Sequence, residues 1–185
     1  MSDVTDLIVE DHKQLKEVFG KLRTGTTGQR ELLLPLMSAM LVSHSRAEES
    51  EVYPAVRDEA GDAEDVEHSQ EEHAAAELAL VKLTSTSPES GDFTSALEAL
   101  IEAVTHHMDE EESDVLPAMR SALKPARLAE LGDAFLAARR QHWGDRPGEA
   151  TRTELDIQAR NADIDGRSTM SRDELQEAVD ASAEL

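Results

Sequence analysis

The string HSRAEESEVYPAVR at residues 44–57 returns at 107–120 as HMDEEESDVLPAMR, with eight of fourteen positions identical. Two acids follow a histidine at fixed spacing, and a proline and an arginine close the string. A fainter echo joins EDHKQLKEVFGKL at 10–22 to EEHAAAELALVKL at 71–83. The chain therefore reads as a duplicated unit, each copy holding a segment with one histidine and then a segment with HxxxE. The order is His12, His44 with Glu48, His73, and His107 with Glu111.

Each segment has the period of a helix. Ile8, His12, Leu15, Phe19 and Leu22 recur at steps of three and four, as do Met37, Leu41, His44 and Glu48. His73, Ala76, Leu80 and Leu83 share one face of the third segment, and Leu97, Leu100, Val104, His107 and Glu111 share one face of the fourth. The histidines lie inside the apolar stripes. Loops are marked by GTTG at 25–28, AGDAED at 60–65 and TSTSPESGD at 84–92, with Ser95 and Glu98 placed as a capping box for the fourth helix. The expected fold is all-α, an up-down-up-down four-helix bundle over residues 1–122. Pro54 and Pro117 would kink or end their helices ten residues past each histidine.

In such a bundle four histidines and two glutamates converge on one interior. Unpaired, each would cost several kcal/mol to bury, so something must compensate them. A single histidine in an apolar stripe is usually a hydrogen-bonded core residue. Four of them, one per helix and related by a repeat, point to metal instead. Six such side chains suit two ions, each with two imidazoles, bridged by two carboxylates. Glu49 and Glu112 point about 140° from their histidines and are expected in solvent. Glu51 and Asp114 fall near the ligand face two turns on. Tyr53 lies opposite His44 on a straight helix, and only a kink at Pro54 would bring its hydroxyl inward.

Other chemistries are excluded or disfavoured. The chain has no cysteine, so thiolate sites and disulfides are absent. None of the seven histidines has a glutamate three residues before it, against a ferritin-like site, and no HExxH occurs. A formal net charge of −22 opposes binding to nucleic acid or anionic membrane and favours cations. The N-terminal sequence lacks a signal-peptide pattern, and the longest apolar run, LLLPLMSAMLV, is too short to span a bilayer, so a cytoplasmic location is expected. His68, about 140° around the helix from His73, is expected at the surface.

The order DH, HxxxEE with a proline six residues after the first glutamate, EH, and HxxxEE with proline again resembles the hemerythrin-like, or HHE cation-binding, domain over residues 3–121. The resemblance implies His12, His44, His73 and His107 as iron ligands. It implies Glu48 and Glu111 as bridges in a pair of non-haem irons with an oxo or hydroxo group. The implied ligand is dioxygen, peroxide or nitric oxide, and catalase-like peroxide dismutation is the enzymatic form. The alternative is an iron-binding or redox-sensing protein that signals to a partner without turnover. Dioxygen carriers of this family have a further histidine where this chain has Glu77, a candidate ligand here, which sets it apart from a reversible carrier. In the doublet His106-His107, counting back from Pro117 selects His107 over His106.

Beyond the bundle, Leu128, Leu131, Phe135 and Leu136 predict a fifth helix within 123–143 packed on it, and residues 144–152 read as a linker. Residues 153–182 predict two short helices, the second opening with a Ser171-x-x-Glu174 capping box. NADIDG fails as an EF-hand loop because its twelfth position is Arg172. This tail resembles the helix-loop-helix of Rho termination factor N-terminal and SAP-like modules. Its net charge of −5 over 153–182, from three arginines and eight acids, points away from nucleic acid and towards a protein partner or a stabilising role.

Overall fold

The computed structural model describes residues 3–183. Helix α1 (Val4–Thr24) opens where the Asp3 carboxylate accepts from the backbone N–H groups of Thr5 and Asp6, at 3.0 and 3.1 Å. Helix α2 (Thr27–Ala47) opens with a capping box between Thr26 and Gln29. It does not stop at Pro54. It continues through a π-helical turn (Glu48–Val52), a short α-helical stretch (Tyr53–Ala55) and a second π-helical turn (Val56–Ala60). Gly61, with φ of 80°, ends it in the left-handed conformation that costs glycine least.

Helix α3 (Ala63–Thr84) and helix α4 (Asp92–Glu110) repeat the plan, and α4 runs through a π-helical turn (Glu111–Val115) into Leu116–Ala122. The fourth helix begins three residues before the expected capping box. Ser95 Oγ donates to the Asp92 carbonyl, and Glu98 accepts from Arg23 across the bundle at 2.8 Å. Neither proline breaks its helix, because the π turn before it leaves the i−4 carbonyl displaced from the pyrrolidine ring.

Helix α1 packs on α2 and α4, and α3 packs on α4 and α2, closing a four-helix bundle. Helix α5 (Pro125–Gln141) packs on α1, α2 and the Glu48–Val52 turn. Helices α6 (Arg152–Asn161) and α7 (Arg172–Ser182), joined through a 3-10 turn at Arg167–Thr169, open with capping boxes at Thr151/Glu154 and Ser171/Glu174. They bury Leu155, Ala159, Leu175 and Val179 against Ala74 of α3. The stretch between α5 and α6 is held rather than loose, since Ala150 is buried and the Gly148 N–H donates to Glu77 at 2.8 Å.

Besides the cluster under α6 and α7, the apolar interior falls into two bodies. One contains Leu15, Phe19, Met37, Leu41, Leu80, Leu97, Leu100 and Met108. The other contains Ile8, Ala47, Val52, Val56, Val115, Leu116, Leu131 and Phe135. Between residues of these two sets along each helix lie the histidines and glutamates. No helix among the described residues is long and apolar enough to cross a membrane.

Candidate metal centre

His12, His44, His73 and His107, one from each bundle helix, are all buried, together with Glu48 and Glu111. Glu48 Oε2 lies 3.2 Å from His44 Nε2 and 3.4 Å from His73 Nε2. Glu111 Oε2 lies 3.4 Å from His12 Nε2 and 3.9 Å from His107 Nε2. Each glutamate thus stands between a histidine of the first unit and one of the second. Two groups with metal-ligand spacing result: His12, His44, Glu48 and Glu111, and Glu48, His73 and His107.

The other nitrogen of each imidazole faces a carboxylate. His12 Nδ1 is 2.9 Å from Glu112, His44 Nδ1 is 3.2 Å from Asp11, His73 Nδ1 is 3.4 Å from Glu49, and His107 Nδ1 is 2.9 Å from Glu72. A carboxylate beside Nδ1 fixes a proton there and turns the Nε2 lone pair inward, as in histidines that hold metals. The acids obey the duplication. Asp11 and Glu72, each just before a single histidine, serve the HxxxE histidine of their own unit. Glu49 and Glu112, each second in an EE doublet, serve the single histidine of the other unit.

This pocket calls for positive charge. His12 Nε2, His44 Nε2 and both oxygens of Glu48 and Glu111 have no hydrogen-bond partner. His73 Nε2 and His107 Nε2 approach to 3.0 Å, so two inward lone pairs need a proton or a cation between them. Burial opposes charging His44, but Glu48 and Asp11 outweigh it and raise its pKa to about 10. Burial likewise opposes charging His73, and Glu48 and Glu49 raise it to about 9. Burial favours the neutral acid of Glu48, yet His44 and His73 hold its pKa well below the ordinary range. Protons on the imidazoles only partly neutralise these carboxylates, and the orphaned atoms fit divalent metal.

Three expectations need correction. Glu49 is not solvated: it is buried, bonded to Arg46 at 3.0 Å and to Gln158 Nε2 at 3.0 Å, and its pKa is about 2 because Arg46 and His73 overcome the effect of burial. Glu112 is only half-exposed and turns to His12. Glu77 does not reach the centre, because its carboxylate is occupied by Arg46 at 2.7 Å and by the Gly148 N–H. The other member of the doublet, His106, is exposed and bonds Glu110, so His107 faces the interior as the register from Pro117 indicates.

Tyr53 is brought inward. Its backbone N–H bonds to the Glu48 carbonyl, five residues back, so the π turn adds one residue and swings Tyr53 from the far face to the axis. The buried hydroxyl lies 3.0 Å from His73 Nε2, and burial together with Glu48 and Glu111 raises its pKa well above the usual phenol value. Asp114 bonds Ser113 and stays outside.

Residues that sequence reasoning missed come from the added helices. Arg139 of α5 donates to Asp11 at 2.7 Å, and Phe135 stacks edge-on against His44 with ring centroids 5.7 Å apart. From α6, Gln158 reaches Glu49, and Asn161 Nδ2 donates to the Glu49 carbonyl at 3.1 Å. The acid before each single histidine and the doublets were visible in the repeats, whereas Arg139, Gln158 and Asn161 carry no spacing signal.

Residues 3–119 match the hemerythrin HHE cation-binding domain, and the chain belongs to that family. An uncharacterized hemerythrin-like protein of Schizosaccharomyces pombe is 27% identical over 143 residues, covering 73% of this chain and 68% of that protein. A protein named DNA nickase from Nostoc sp. is 25% identical over 150 residues, covering 80% of this chain but only 42% of the nickase. The crystal structure of a hemerythrin HHE cation-binding domain-containing protein from Mycobacterium kansasii shares the fold, with a TM-score of 0.70 and 22% identity. That match covers 96% of this chain and 99% of the other. The fold of the relative therefore includes the region of α5 to α7.

Proposed function

We propose that the buried cage holds two non-haem irons bridged by Glu48 and Glu111, with His12 and His44 on one ion and His73 and His107 on the other, and that it turns over peroxide. The observation that carries this is the set of four inward Nε2 atoms, each backed by its own carboxylate, around two glutamates without hydrogen-bond partners. When bound, such an iron pair supplies adjacent open positions and a two-electron couple suited to a peroxide-sized ligand.

The protein's own groups favour peroxide over reversible carriage of dioxygen. With Glu77 engaged by Arg46, the cage has four imidazoles and two carboxylates, a donor set that stabilises the oxidised irons. The Tyr53 hydroxyl, kept neutral by its surroundings, is a proton-bearing group at the inner wall and is placed to orient or protonate a ligand beside His73. Leu116 and Phe135 help exclude bulk water. The name of the cyanobacterial relative brings no nucleic-acid reading here, given the length it leaves unmatched and the net charge of −22.

The test is metal analysis of freshly purified protein together with a dioxygen electrode after adding hydrogen peroxide. About two irons per chain and steady dioxygen evolution, reduced in Tyr53→Phe with iron retained, are expected. Two irons without evolution would replace turnover with redox sensing, and zinc or no metal would overturn the reading.

A further inference from the structure

The HxxxE spacing occurs five times in the chain; the cage uses two of these pairs, and a third, His73 with Glu77, gives its glutamate to Arg46. The others are His68 with Glu72 on α3 and His106 with Glu110 on α4. The two helices pack side by side and bring these pairs face to face. His68 Nε2 lies 3.0 Å from Glu110 Oε2 and 3.9 Å from Glu72 Oε1. His106 Nε2 lies 3.2 Å from Glu110 Oε1 and 3.6 Å from Glu72 Oε1. Each imidazole thus sits between both carboxylates.

We propose that His68, Glu72, His106 and Glu110 form a separate surface site for one divalent transition-metal ion. The ligand atoms of His68, Glu72 and Glu110 already lie within 4.8 Å of one another. Two nitrogens and two oxygens from paired helical turns suit zinc or ferrous iron. Calcium and magnesium, which prefer oxygen alone, fit poorly. An ordinary surface cluster of ion pairs would leave no buried atom unmatched. Here Glu72 Oε1 is buried without a hydrogen-bond partner, although Glu72 Oε2 is satisfied by His107 Nδ1. The free oxygen faces the two exposed imidazoles, whose side chains are 57% and 64% accessible to incoming metal.

Glu72 also joins the two regions. One oxygen fixes His107 of the cage and the other belongs to the outer cluster, so a cation held outside stands one carboxylate from the interior. The outer site contains none of the six groups assigned to the cage and touches it only through the contact of Glu72 with His107.

The experiment is equilibrium dialysis of the full-length, as-isolated protein against buffered zinc, with zinc and iron counted for wild type and for His68→Ala/His106→Ala. Both histidines are exposed, so the variant keeps its fold, which circular dichroism checks. Wild type should take up about one zinc more per chain than the double variant, with equal iron in both, and Glu110→Gln should weaken that zinc about tenfold or more. Equal zinc uptake by wild type and the double variant, or none by either, would overturn the proposal whatever the cage contains.

Discussion

The two copies of the repeated string start alike and finish differently. At Glu48 and at Glu111 the chain enters a π turn, and at both the following glutamate crosses over to the single histidine of the other unit. One residue after the turn, the first copy has Tyr53 and the second Leu116, so only one side carries a hydroxyl. Glu49 is sealed under α6 by Arg46, Gln70 and Gln158, whereas Glu112 keeps a 34% exposed side chain and has Lys16 3.8 Å away. Duplication builds a symmetric cage, and the residues around it make the halves unequal. Glu49 is sealed from solvent, and Glu112 is partly exposed although His12, His107 and Glu111 beside it remain buried.

The two glutamates proposed as bridges test that inequality most severely. Glu48 belongs to both ligand groups and Glu111 to one, so Glu48→Ala should strip the protein of metal while Glu111→Ala retains part of it. Elemental analysis of the two variants side by side reads this, and equal loss would mean that the halves bind as one. Next in size are the orienting acids. Glu49→Gln should weaken metal binding by about 100-fold and Glu112→Gln by about tenfold, because the buried carboxylate has no water to replace it. Competition with a chelator gives the ratio, and a reversed order would break the comparison.

Smaller effects sharpen it. Gln158→Ala removes hydrogen bonds to Glu49 and should cost about 1 kcal/mol of metal affinity, or roughly fivefold, with α6 still docked through Leu155. An unchanged affinity would make α6 a cover only. In the metal-free chain, Glu49 has a pKa of about 2 against an ordinary 4.5, so its contribution to folding is present above about pH 4.5 and lost as the pH falls towards 2. Glu49→Gln should flatten the acid limb of a denaturation profile over that range.

The repeat exposed the bundle, its four inward stripes and the six cage residues, because histidine and glutamate at helical spacing are rare on apolar faces. It could not expose the π turns. Nothing in EESEV or EESDV marks an extra residue per turn, and a straight helix put Tyr53, Glu49 and Glu112 outside. The turn moves Tyr53 to the axis, and tertiary partners claim the doublets. The same limit applies to the tail. The Ser171 capping box was readable, but the Thr151 box emerged only with the structure, and the contacts of Gln158 and Asn161 with Glu49 are a long-range match with no local signature.

Anomalous diffraction at the iron edge, on crystals of freshly purified protein, tests whether two metal ions occupy the space between the four inward imidazole nitrogens. The two-ion cage predicts two peaks inside the bundle, one beside the Nε2 atoms of His12 and His44 and one beside those of His73 and His107, with Glu48 touching both. No peak between those nitrogens in a well-ordered cage would contradict it and leave the cluster a proton-stabilised polar core.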